Sequence, residues 1–291
     1  DLRVGLDAVD AARAAGVGPA GVADGARAWI TENITRGRID RLDMRVALDP
    51  RALEAGTLPH DAVRGEARLS GAEIHYRRPM PPVVDASATA RFDADRLSFT
   101  ITGGSLDGLE VTGGEAVIRD YGSAESVERL EVDVRGEGAV PALLAVTDHE
   151  PLRLASRHDL PTTTSAGTGS FRVEVGLPLL RDLGLDEVEL RFRGTFADVA
   201  LPGMAAGRDL AGATVELDAT PDIVEASGRG RIAGIPLDFG YRLDGVADRE
   251  RLRASGRVAA EQLEALGLPV ALPARGPVDL DATIELGGGA E

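Results

Sequence analysis

Apolar and polar residues alternate along this chain with a period of two, in one stretch after another. Leu42, Met44, Val46 and Leu48 interleave with Asp43, Arg45 and Ala47. The pattern returns in Leu97-Phe99-Ile101, Leu130-Val132-Val134, Phe171-Val173-Val175 and Val188-Leu190-Phe192. It returns again in Val215-Leu217, Leu237-Phe239-Tyr241-Leu243 and Val278-Leu280-Ala282-Ile284-Leu286. Successive side chains on a strand point to opposite faces, so each stretch predicts a strand with one apolar and one wet side. Strands are expected near 38–48, 95–102, 128–135, 171–175, 187–193, 213–219, 237–243, 249–257 and 277–286. Few helical stretches remain to cover the apolar side, and what lies against it is the question the sequence poses.

The period changes in three places. The first 37 residues read as mostly helical: Ala8 to Ala15 is alanine-rich, and Val22, Ala26, Trp29 and Ile30 fall on one side of a helix over 22–34. Gly37 stands where a helix C-terminal cap is favoured. Short helices are also expected over 140–147 and 259–266, each following a strand and a glycine and preceding a proline, Pro151 or Pro269. That echo reads as a degenerate repeat of roughly 120 residues. The organisation expected is an N-terminal helical segment (1–37), a first β segment (38–160) and a second (161–291). Leu160 to Gly169, rich in threonine and glycine, is the expected boundary loop.

Composition narrows the function classes. A net charge of −16 disfavours nucleic acid and simple docking on an anionic membrane. All 32 basic residues are arginine, which codon bias explains without a functional demand. With no cysteine there is no disulfide, thiolate chemistry or Cys-ligated zinc. No apolar run approaches the ~20 residues that span a bilayer. The chain starts at Asp1 and stops at Glu291 without a methionine or a signal peptide, and it reads as a piece of a longer protein.

Chemical motifs fail one by one. Gly16-Val17-Gly18-Pro19-Ala20-Gly21 matches a dinucleotide string, but no strand precedes it and no βαβ unit surrounds it. Gly103-Gly104 and Gly113-Gly114 read as turns between strands rather than calcium-binding repeats. His60, His75, His149 and His158 form no metal-ligand spacing, and the loop of Asp148, Glu150 and Asp159 between His149 and His158 offers at most a casual surface metal site. The mixed charges Arg129, Glu131, Asp133, Arg135 and Glu189, Arg191, Arg193 read as outer strand faces. No serine elbow and no paired acid and base stand out, so no catalytic residue, cofactor or metal is expected.

Four stretches resemble the AsmA-like family of envelope proteins, in particular its YhdP branch. They are Trp29-Ile30-Thr31-Glu32-Asn33-Ile34-Thr35-Arg36-Gly37, the run Gly71 to Tyr76 with Pro79-Met80-Pro81-Pro82-Val83, the hairpin Ser227 to Pro236, and Ala254 to Val258 continuing through Leu263, Leu266, Gly267 and Pro269. The likeness runs from about Trp29 to Leu286, without the family's N-terminal membrane helix or its C-terminal end. The resemblance implies a mainly β fold: a long, curled antiparallel sheet forming an open apolar groove, with a few short helices. It implies a periplasmic location with a membrane anchor outside these residues. Its partners would be phospholipid or another acyl lipid and, through parts outside this piece, the inner and outer membranes.

A groove of this kind suits the alternation. A sixteen-carbon acyl chain gains on the order of 10 kcal/mol at ~0.8 kcal/mol per buried CH₂, and an aliphatic lining with few hydrogen-bonding groups lets it slide. The residues expected to line such a groove are Leu97, Phe99, Ile101, Val132, Val134, Val173, Leu190, Phe192, Leu217, Phe239, Leu280 and Ile284. The competing reading is a structural or assembly scaffold of the envelope, with the same residues sealed in a β core. A cell-wall hydrolase is the third, with no residue to carry it.

Overall fold

A computed structural model describes residues 2–11, 24–47, 63–93, 96–119, 127–180, 183–184, 187–205, 207–247, 249–267 and 276–286. Fourteen strands form one sheet in chain order, antiparallel and not closed into a barrel. They are β1 (Leu2–Asp10), β2 (Ile34–Val46), β3 (Val63–Ile74), β4 (Val83–Phe92), β5 (Arg96–Leu106), β6 (Leu109–Arg119) and β7 (Arg129–Ala139). Then follow β8 (Ala166–Pro178), β9 (Glu189–Ala205), β10 (Arg208–Ala219), β11 (Ile223–Ile232), β12 (Ile235–Asp244), β13 (Arg249–Ala259) and β14 (Pro277–Leu286). Among the described residues four helices interrupt them: α1 (Asp24–Asn33), α2 (Val140–Asp148), α3 (Leu154–Arg157) and α4 (Gln262–Ala265).

The turns explain the simple order. β5 and β6 are joined by Asp107-Gly108, at φ 45° and 87°, and β11 and β12 by Ala233-Gly234, at φ 50° and 80°. Two central residues at positive φ mark the type I′ hairpin, whose twist matches that of paired strands. Glycine takes this conformation without the penalty a side chain brings.

The N-terminal segment differs from expectation. Ala8 to Asp10 belong to β1, whose Val4 faces Met44 and Leu6 faces Leu42 on β2. Leu2, Val4 and Leu6 alternate with Arg3, Gly5 and Asp7, so pairing with a neighbouring strand outweighs the local alanine content. Residues 12–23, including Ala12 to Ala15 and the start expected for the helix, lie outside the described residues. Gly37 does not cap α1 but lies inside β2. The helix ends at Asn33, whose Nδ2 donates to the Trp29 carbonyl at 2.9 Å, while the His75 backbone N–H donates to the Asn33 carbonyl at 2.8 Å. Orphan carbonyls at a helix end are satisfied by such outside donors.

Three further boundaries move. Residues 166–169 are the start of β8 rather than loop, β9 continues to Ala205, and β13 runs through Ala259 so that α4 shrinks to four residues. The helix expected over 140–147 is α2, with Pro141 in its first turn, where a missing N–H costs nothing.

The chain forms two compact units: residues 1–136 with 173–190, and residues 137–172 with 191–291. In the first, Ala11, Ile34, Ala72 and Ala86 form one buried cluster with Ile30 of α1 against it. Ile118 and Leu130 form another, packed by Leu97, Val132, Leu177 and Trp29 of the same helix. In the second unit a larger cluster joins Phe196, Val199, Leu210, Ala213, Ile232, Ile235, Leu237 and Val258 to Val140 of α2. Leu143 and Leu144 of α2 and Leu263 of α4 pack on that same cluster, so both helical interruptions converge on one core.

Candidate functional site

Register shows which side chains share a face, because residues paired across an antiparallel ladder point the same way. In the second unit Phe192 faces Ala219, and Phe196 faces Val215. Leu217 continues through Ala226 to Tyr241, and Gly228 through Phe239 to Ala254. Leu252 faces Ile284, Gly256 faces Leu280 and Val258 faces Val278. Phe192, Leu217, Phe239, Leu280 and Ile284 therefore lie on one continuous apolar face of β9 to β14. In the first unit Leu97 pairs with Phe92 and Ile118, Phe99 with Ala90 and Ala116, and Ile101 with Ala88 and Gly114. Val132 and Val134 lie two apart on β7, where Val132 joins the Ile118–Leu130 cluster. Val173 on β8 and Leu190 on β9 complete the expected set.

All twelve expected residues are half-buried, neither enclosed nor fully exposed. Leu97 and Val132 pack against one buried cluster, and Phe192, Leu217, Phe239 and Leu280 against another. Phe99, Ile101, Val134, Val173, Leu190 and Ile284 belong to no buried cluster among the described residues. The cover is uneven along the strands of the second unit. The ends that meet at Ile232 and Ile235 are sealed beneath α2 and α4, both side chains being under 5% exposed. Toward Leu217, Tyr241 and Ile284, the same face is half-buried.

The face holds almost no charge. Burial pushes the Tyr241 phenol up to about 12, with the Glu250 carboxylate adding to the shift, so it stays neutral at any physiological pH. Glu250 itself pairs with Leu243 and Leu286 at the other end of these strands, where it lies 3.9 Å from His158 Nδ1. The opposite face carries the arginines and carboxylates, as the alternation requires. Arg191 grips Asp218 through two hydrogen bonds at 3.1 and 2.7 Å, and Arg253 grips Asp281 at 3.1 and 2.7 Å. Arg119 reaches Glu131 at 3.1 Å and Arg129 reaches Glu189 at 2.8 Å. Most of these groups are half exposed or more, so each pair adds little to stability.

Sequence reasoning missed the small members of the apolar face: Ala88, Ala90, Ala116, Ala226 and Ala254. Nothing in a run of alanines and glycines signals an inward position; only their large cross-strand partners do. It also missed Phe92, whose ring lies over Gly65, so that a Cβ there would sit 2.2 Å from it. The loop bearing His149 and His158 is organised otherwise than as a metal site. Asp148 accepts from the Ser156 backbone N–H at 2.6 Å and from its hydroxyl at 2.7 Å. Among the described residues no group of three or more potential ligands could hold a metal ion, and no helix is long and apolar enough to cross a membrane.

A family model described as YhdP protein matches residues 1–288. No curated protein and no solved structure matches the chain. The match covers nearly the whole sequence, and the chain belongs to the YhdP family. Membership suggests a lipid-transfer or envelope role.

Proposed function

We propose that this member of the YhdP family is a segment of a periplasmic, bridge-like lipid-transfer protein. It conducts phospholipid acyl chains along the apolar face of its sheet, between inner and outer membranes contacted by other parts of the protein. It is a conduit and performs no bond chemistry. The observation that carries this reading is the half-buried state of all twelve expected residues. A sealed core would enclose them, and a purely solvated sheet would not place apolar side chains on one side for six strands in register. Each acyl CH₂ covered there gains about 0.8 kcal/mol. Alanine and glycine between the larger residues leave a low, smooth surface with few hydrogen-bonding groups to trap a headgroup.

The buried cluster under α2 and α4 favours a structural role for that end of the second unit. If the rest of the face were covered in the same way by another protein segment, the chain would be a scaffold. Native mass spectrometry of the purified 291-residue chain separates the two readings. Co-purified phospholipid, displaced by added fatty acid, is the result expected. A lipid-free chain that takes up no acyl probe would refute the conduit.

A further inference from the structure

The polar face of the first unit holds a feature that the alternation of charges elsewhere does not prepare for. Arg3 on β1 stands directly opposite Arg45 on β2, and Arg45 directly opposite Arg64 on β3. Like charges in such positions repel, and the protein relieves them elsewhere. Arg242 faces Arg251, but Glu225 holds the first and Glu285 the second. Arg96 faces Arg119, with Glu115 and Glu131 beside them at 3.6 and 3.1 Å. No such relief is in place for Arg3 or Arg64, neither of which has a carboxylate partner among the described residues.

These arginines line a surface cavity of about 500 Å³ together with Arg91 and Arg96. Its carboxylates are Asp43 and Asp93, so five guanidinium groups meet two acids, in a chain whose net charge is −16. Asp43 is held by Arg41 Nε at 2.6 Å, and Asp93 Oδ1 accepts the Arg96 backbone N–H at 2.9 Å. Arg91 is held in turn by Glu66 at 3.0 Å, outside the lining. Gly5 leaves the room: a side chain there would meet nothing within 4 Å.

We propose that this arginine-lined cavity binds a phosphate-bearing anion, its oxygens accepting from the guanidinium groups of Arg3 and Arg64. Guanidinium forks match phosphate oxygens in pairs. The arginines lie on the polar face, while Met44, Gly65 and Phe92 of the opposite face also line the cavity. The phosphate can come from a free ion or from a lipid headgroup.

The test uses the 291-residue chain, its Arg3→Gln/Arg64→Gln double variant, Gly5→Glu, and Arg253→Gln as a control at an arginine paired elsewhere. Gly5→Glu keeps every arginine and places a competing carboxylate in the cavity, so it decides the matter if the double variant folds poorly. Each protein is titrated with inorganic phosphate by calorimetry. Each is also floated with vesicles of phosphatidylcholine alone and with one-third phosphatidylglycerol. The expected result is salt-sensitive binding that falls at least tenfold in the double variant and in Gly5→Glu, and stays unchanged in Arg253→Gln. Binding in the calorimeter assigns a free phosphate, and binding confined to phosphatidylglycerol vesicles assigns a headgroup. No binding to either probe, binding that survives Gly5→Glu, or an equal loss in Arg253→Gln overturns the proposal.

Discussion

The rings of Phe192 and Phe196 lie 6.5 Å apart and within 5° of parallel, on one face of β9, yet Phe196 is 5% exposed and Phe192 is only half-buried. Gly194 between them makes the arrangement fit, since a Cβ there would stand 2.6 Å from the Phe196 ring. Phe192 also stacks on Phe171 at 5.6 Å. The pair marks the border between the sealed and the half-buried part of the apolar face.

A carboxylate at each position should therefore behave differently. Phe196→Glu buries an unpaired charge beneath α2 and should unfold the protein, a loss of several kcal/mol. Phe192→Glu can turn toward water, so it should fold with a modest loss of about 1–2 kcal/mol while lipid occupancy falls. Urea denaturation beside a lipid-binding assay reads both. Gross unfolding of Phe192→Glu would favour the sealed scaffold, and a folded variant with undiminished lipid would count against the conduit.

Two glycines on neighbouring strands offer a test of packing. A Cβ on Gly228 would sit 1.9 Å from the Thr214 carbonyl oxygen, a backbone atom that cannot step aside. Gly228→Ala should cost about 1–3 kcal/mol as the ladder shifts. A Cβ on Gly240 would meet nothing within 4 Å, and Gly240→Ala should be neutral or slightly stabilising, through a less flexible unfolded chain. Thermal melts of both variants check this, and equal losses would refute the steric account.

The strands legible in the sequence are those with large apolar residues at alternate positions, as in β5, β9, β12 and β14. β3, β4, β6 and β11 escape such a reading because their inward positions hold Ala67, Ala88, Ala90, Gly114, Ala226 and Gly228. Those residues are small because their partners are large: Phe92 fills the space over Gly65, and a Cβ on Gly228 would stand 3.1 Å from the Phe239 ring. The alternation names large members of the face but does not say which are sealed, since that depends on where α2 and α4 fold back. The arginine row is equally hidden. Arg3, Arg45 and Arg64 are far apart in sequence, and only register aligns them.

Acid should weaken the fold through the outer face. Hydrogen bonds from Arg41, Ser156, Arg191 and Arg253 hold the carboxyls of Asp43, Asp148, Asp218 and Asp281 below the ordinary aspartate value. A depressed folded value contributes stability above the unfolded value and loses it as pH falls through the folded one. The urea midpoint should thus hold steady from pH 7 to about 5 and decline below about 4. Asp281→Asn should make that decline shallower while changing little at neutral pH. An unchanged acid limb in Asp281→Asn would remove this pair from the explanation.

Trp29 is the protein's one tryptophan, and it packs beside Leu97 and Val132 against the Ile118–Leu130 cluster. That places an intrinsic fluorophore at the apolar face of the first unit. Bromine quenches indole emission at near contact, so a phospholipid brominated along its acyl chain reports occupancy directly. If acyl chains lie on this face, brominated lipid should quench Trp29 strongly, and the unbrominated lipid should shift its emission to the blue. Val132→Asp should diminish both effects, because a carboxylate beside the tail carries a desolvation cost that a valine does not. Water-soluble acrylamide should lose access to Trp29 as lipid binds. Quenching by acrylamide that is indifferent to lipid, together with no effect of bromine, would show that acyl chains do not reach this unit.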